Sequence, residues 1–154
     1  MDIKKYIAQL EFVPKDGTNG IYHKVYAKHN NYVISIDFNT GHIEYGDKII
    51  AESKTTQNFS QPENFVVLEC VDRLLIKGYK PQNIVLEKTW PSGHGTSGRL
   101  DICVNREDGT PYMLIECKTF GKEYNKELAR IHKDGGQLFT YFQLSGGKAD
   151  VLML

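Results

Sequence analysis

The chain has 154 residues, 40% of them apolar, and its 19 lysines and arginines balance 19 aspartates and glutamates. That is enough chain for one domain with a real core, and too ordinary a composition for wholesale disorder. A formal net charge of zero excludes a strongly basic DNA-coating protein but leaves room for a local basic patch. No apolar run nears the ~20 residues of a membrane span, and the N-terminus lacks the apolar segment of a secretory signal. Cys70, Cys103 and Cys117 each sit inside an apolar run. Their odd number and scattered spacing suit buried, reduced thiols in a cytoplasmic protein better than disulfides or a zinc site.

Residues 3–10 place Ile3, Ile7 and Leu10 at helical spacing and predict a short helix. Three β-like runs follow: 21–28, 32–38, and 42–45 continuing toward Ile50. Asn30-Asn31 and Asn39-Thr40-Gly41 separate them, so an antiparallel N-terminal meander of three strands is expected. The polar segment 52–60 reads as a linker into a helix. Pro62 suits a first helical turn, and Ser60-x-x-Glu63 has the pattern of a capping box. Val67, Leu68, Val71, Leu74 and Leu75 form one apolar stripe, with Glu69, Asp72, Arg73 and Lys77 mostly opposite. Gly78 ends this helix. Residues 84–90 then read as a strand and 91–98 as a loop. His94 in that loop has no evident partner and reads as a solvated histidine. Gly93, Gly95 and Gly98 form no phosphate-cradling fingerprint, because the loop leads into a strand.

The next segment carries the chemistry. Leu100-Asp101-Ile102-Cys103-Val104 and Tyr112-Met113-Leu114-Ile115-Glu116-Cys117-Lys118 flank turn formers at Asn105, Asp108, Gly109 and Pro111, and so predict a β-hairpin. Side chains alternate along a strand, so Glu116 and Lys118 share one face while Cys117 points away. Two carboxylates and an ammonium thereby meet at one sheet edge, an arrangement that can hold a hard divalent cation beside a phosphate.

Residues 122–133 predict a second helix with Tyr124, Leu128 and Ile131 inward. Lys122, Lys126, Arg130 and Lys133 lie along one of its faces, with Glu123 and Glu127 alongside. That face could track DNA phosphates, or be an ordinary solvated surface. A break at Asp134-Gly135-Gly136 precedes a third helix, 137–144, and then an apolar strand, 149–154. This order predicts an α/β core with one mixed sheet. Ending in mid-strand, the sequence reads as a fragment of a longer chain, one domain with an N-terminal part (1–58) and a core (59–154).

Asp101, Glu-x-Lys at Glu116 and Lys118, and Gln137-x-x-x-Tyr141 on the following helix resemble the PD-(D/E)XK nuclease superfamily. More narrowly, the chain is similar to the N-terminal nuclease domain of type I restriction enzyme restriction subunits. The resemblance spans most of 62–154. It rests on Pro62-Glu63, Gly78-Tyr79-x-Pro81, Glu87, Gly98-Arg99-Leu100-Asp101, Ile115-Glu116-Cys117-Lys118 and Gln137-x-x-x-Tyr141. The proline that names the superfamily is replaced by Leu100.

The resemblance implies a restriction-endonuclease-like mixed central sheet flanked by helices, and Mg²⁺-dependent cleavage of double-stranded DNA, with Mn²⁺ as a possible substitute. ATP, methyltransferase, specificity or translocase functions would come only from parts outside this chain. Mg²⁺ takes oxygen ligands and few carboxylates, which Asp101, Glu116 and the backbone carbonyl of Cys117 can supply. Lys118 would orient the attacking water or stabilise developing charge. The resemblance also assigns to the site an acid from the first core helix. Glu63, one turn before the inward Val67, fits better than Glu69 on the polar stripe. It places Gln137 and Tyr141 beside Lys118 or the DNA backbone.

Other roles for these residues stay open. Glu116 and Lys118 could be a surface pair, Glu63 the acid of a capping box, Gln137 a cap partner of Asp134, and Tyr141 plain core. A repair or recombination nuclease, or a non-catalytic DNA-binding scaffold, could use the same fold.

Overall fold

A computed structural model describes residues 2–91 and 98–154; His94, Gly93 and Gly95 lie outside them. Helix α1 (Ile3–Gln9) opens the chain, its first turn capped by Asp2, whose carboxylate accepts the Lys5 amide N–H at 3.2 Å. Strands β1 (Val13–Pro14), β2 (Ile21–Tyr26), β3 (Tyr32–Asp37) and β4 (His42–Glu44) form an antiparallel sheet in that order. The meander therefore has four strands, β1 being a two-residue addition that pairs Val13 with His23.

The third run does not continue to Ile50. Strand β5 (Ile50–Ala51) leaves the meander and pairs in parallel with β6 (Ile84–Lys88), matching Ile50 to Val85. β6 is followed by β7 (Leu100–Asn105) and β8 (Pro111–Ile115), antiparallel neighbours, and β9 (Val151–Met153) runs parallel to β8. The result is one mixed five-stranded sheet in the order β5-β6-β7-β8-β9. The hairpin and the C-terminal strand are as the sequence predicts.

Helix α2 (Glu63–Lys77) buries Val67, Leu68, Val71, Leu74 and Leu75 in a core shared by α1, the meander and one face of the five-stranded sheet. Gly78 closes it with φ 99, the left-handed conformation in which its amide returns to the Leu74 and Leu75 carbonyls. Helices α3 (Lys122–Asp134) and α4 (Gly136–Leu144) lie on the other side. There Leu138 and Tyr141 pack with Val85, Leu100, Cys103 and Leu114 in a second, smaller core.

Two local readings change. Asp72 is not on a solvated stripe; it is 2% exposed, hydrogen-bonded by Tyr26 and paired with Lys24 across to β2. The capping box does not close either. Pro62 is the N-cap, the Ser60 amide donates instead to Asn58 Oδ1, and Glu63 turns toward Lys118. Cys103 and Cys117 are buried, Cys70 is half-buried, and all three are free thiols. Among the described residues, no helix is long and apolar enough to cross a membrane.

Candidate active site

The hairpin positions the first acid and the Glu-x-Lys pair. Its register pairs Ile102 with Ile115, which puts Asp101 across from Glu116 at the strand end. The Glu116 amide still donates to the Met153 carbonyl, so β9 steadies the backbone just beyond β8. The next amide, of Cys117, donates to Asp101 Oδ2 at 2.6 Å. Lys118 then folds back: its Nζ is 2.6 Å from Glu116 Oε1, 3.1 Å from the Cys117 carbonyl and 3.4 Å from Glu63 Oε1. The Cys117 side chain is buried in the main core, as alternation requires.

Helix α2 brings Glu63, rather than Glu69, to this cluster. Glu69 accepts the Tyr6 hydroxyl at 2.6 Å and pairs with Arg73, away from Lys118. Helix α4 brings Gln137 and Tyr141 to a cleft of about 310 Å³ that Glu63 and Asp101 also line. Tyr141 is 2% exposed, and its hydroxyl donates to the Arg99 carbonyl at 2.9 Å. Gly98 is required at that approach, because a Cβ there would stand 2.6 Å from the Tyr141 hydroxyl oxygen. Asp134 accepts the Gly136 amide N–H rather than that of Gln137.

The electrostatics are those of crowded acids in a dry place. Burial and then the nearby Glu116 push the Asp101 carboxyl up to about 7, against the Cys117 amide and Lys118. Burial also raises Glu116, and Lys118 opposes it. Burial disfavours the Lys118 ammonium, but Glu116, Asp101 and Glu63 outweigh that and hold it charged. One lysine thus serves three acids. Glu116 Oε2 is buried with no hydrogen-bond partner.

An orphaned carboxylate oxygen beside a half-buried second acid and a backbone carbonyl fits a small oxygen-seeking cation. As the side chains stand, with Lys118 on Glu116 Oε1 and a backbone amide on Asp101 Oδ2, no three acidic, histidine or cysteine side chains form a ready cluster among the described residues. Asp101, Glu116 and the Cys117 carbonyl are oxygen donors that could hold such a cation, a set with only two carboxylates.

Glu116, Cys117 and Lys118 do not line the cleft themselves; Lys118 reaches its wall through Glu63, and the Cys117 amide through Asp101. Lys122, Lys126 and Arg130 are exposed on α3 and do not line the cleft either. Glu127 is a residue that sequence reasoning placed wrongly. It is 2% exposed, with Oε1 accepting the Gln137 amide N–H at 2.9 Å and Oε2 3.3 Å from Arg130. It caps the start of α4 and so fixes the helix that carries Gln137 and Tyr141. Its spacing within a charged helix looked like solvent exposure; the only available signal was the uncapped glycine start of α4 ten residues on.

No curated protein matches the sequence. The model of the type I restriction enzyme R protein N-terminus matches residues 62–146, more than half of the chain, and the match contains α2, the hairpin, the Glu-x-Lys pair, Gln137 and Tyr141. The chain belongs to the family of type I restriction enzyme R protein N-termini.

Proposed function

We propose that this chain is a Mg²⁺-dependent DNA endonuclease domain that hydrolyses phosphodiester bonds through Asp101, Glu116 and Lys118. The observation that carries this reading is the meeting of the half-buried Asp101, the buried Glu116 with its unpartnered oxygen, and a lysine ammonium 2.6 Å from Glu116. Family membership supports the restriction-enzyme context: an R protein works with other subunits on DNA, and this domain would supply the cutting step.

Asp101, Glu116 and the Cys117 carbonyl would hold Mg²⁺, which supplies charge neutralisation at the phosphate and a more acidic bound water. Lys118, kept charged by its three acids, would orient that water and stabilise the negative charge developing on the phosphate oxygens. Glu63 shares Lys118 with Glu116 and fixes the direction of its ammonium. Glu127 and Tyr141 set α4 against the cleft, leaving the exposed Gln137 side chain to meet Lys118 or the DNA backbone.

Plasmid nicking in Mg²⁺ tests the reading. Lys118→Ala should lower cleavage by about 10²–10³-fold, the usual loss for one charge-stabilising donor. Equal cleavage by the two proteins would overturn the mechanism.

A further inference from the structure

The roles above leave part of the cleft unused: Arg99, Glu87 and the segment that enters α2. Arg99 Nε lies 3.2 Å from Glu87 Oε2, and its Nη1 donates to Ser53 Oγ at 2.9 Å. Ser53 Oγ is in turn 3.3 Å from Thr55 Oγ1. The Arg99 side chain remains 47% exposed, whereas that of Glu87 is only 7% exposed. Both residues line the cleft, with Thr55 and Thr56.

Two features mark this as more than a surface ion pair. Glu87 holds φ 55, a left-handed conformation rare for a residue other than glycine, inside strand β6. It stands between the pairs Leu86–Ile102 and Lys88–Leu100, hence opposite Asp101. Strain of this kind persists where the surroundings over-determine it, and it gathers at functional sites. Independently, Thr56 is 2% exposed and its hydroxyl has no hydrogen-bond partner. A guanidinium anchored along one edge by a buried carboxylate keeps its plane fixed, and a planar fork suits paired phosphate oxygens.

We propose that Arg99, aimed by Glu87 and Ser53, forms with the Thr55 and Thr56 hydroxyls a subsite for a DNA phosphodiester next to the one that is cut. The subsite rests on the nuclease reading. Within it Arg99 is a binding residue and Glu87 a positioning residue. The ion pair leaves Arg99 oriented rather than spent, since half of its side chain still faces solvent.

The test is anisotropy of a labelled duplex in EDTA across a salt series, beside Mg²⁺-dependent cleavage of the same duplex. Arg99→Ala should weaken binding about tenfold, as expected for a lost charge-assisted contact, and raise KM more than it lowers kcat. It should also make the slope of log affinity against log salt shallower by about 0.9, the loss of one phosphate contact. Arg99→Lys should restore the slope without restoring affinity, because an ammonium lacks the fork; this variant carries the test if Arg99→Ala folds poorly. Glu87→Gln should leave the slope near wild type while raising KM severalfold. If the wild type cuts DNA while Arg99→Ala and Arg99→Lys both keep its affinity, slope and KM, the subsite falls and the nuclease reading stands. If the wild type neither binds nor cuts DNA, both fall.

Discussion

Two lysine–carboxylate clusters draw an acid from α2, Asp72 within the helix and Glu63 at its first turn, and they are built to opposite plans. Lys24 is 2.8 Å from Asp72 Oδ1, donates to the Leu10 carbonyl at 2.7 Å, and shares Asp72 with the Tyr26 hydroxyl at 2.7 Å. Its other acid, Glu11, is 3.5 Å away and exposed. One buried charge meets one buried charge, and hydrogen bonds fill the remaining positions. Lys118 instead meets Glu116 and Glu63 with Asp101 close by, and Glu116 keeps an oxygen without a partner. The first pair is closed. The second is open, with more negative charge than its lysine can compensate, and that surplus is what a cation and a phosphate can use.

The comparison breaks most visibly at the closed pair. Asp72→Ala should destabilise the fold by about 3–5 kcal/mol, because it strands Lys24 in the core. Urea unfolding measures this, and cleavage per folded molecule should stay at the wild-type level. A loss much below that range would mean that Lys24 reaches water and that the pair is not closed.

The open pair should respond to metal. At a Mg²⁺ concentration about a hundredfold above Kd, binding to the native state adds about 2.7 kcal/mol of stability. A thermal-shift titration should show this rise in the wild type and none in Glu116→Gln. The Asp72 and Lys24 side of α2 should contribute nothing to it. A rise of equal size in Glu116→Gln would remove that acid from the metal-holding set.

A further expected effect is on pH. Burial, then the charge of Glu116, raises Asp101 from an ordinary value of 3.8 to about 7 in the folded protein. The native state therefore binds this proton more tightly than the unfolded chain does. Asp101 favours folding while protonated, and that contribution is lost as pH rises from about 4 to about 7. In EDTA, wild-type stability should fall across this window, and Asp101→Asn should flatten the fall. Parallel profiles for the two proteins would show that Asp101 is not held in its neutral form.

The helical stripe on α2, the hairpin and the Glu-x-Lys alternation were legible because each depends on neighbours in sequence. Local patterns of period 3.6 or 2 report the face that a residue presents. They misled wherever a polar residue was needed inside. Asp72 and Glu127 have the spacing of solvated positions, yet both are buried because distant partners, Lys24 with Tyr26 and the Gln137 amide, satisfy them. Ile50 reads as the end of a meander, but β6 offered it a parallel edge thirty-odd residues along the chain.

The sequence by itself determined which acids and which lysine share a hairpin, because strand alternation and turn chemistry act over a few residues. Helix phase also singled out Glu63 over Glu69; only the tertiary structure decided that Glu127 anchors α4 and that Glu116 is left with an unpartnered oxygen. Burial and long-range pairing set those outcomes, and the cost of an unmet charge depends on what the rest of the fold brings beside it.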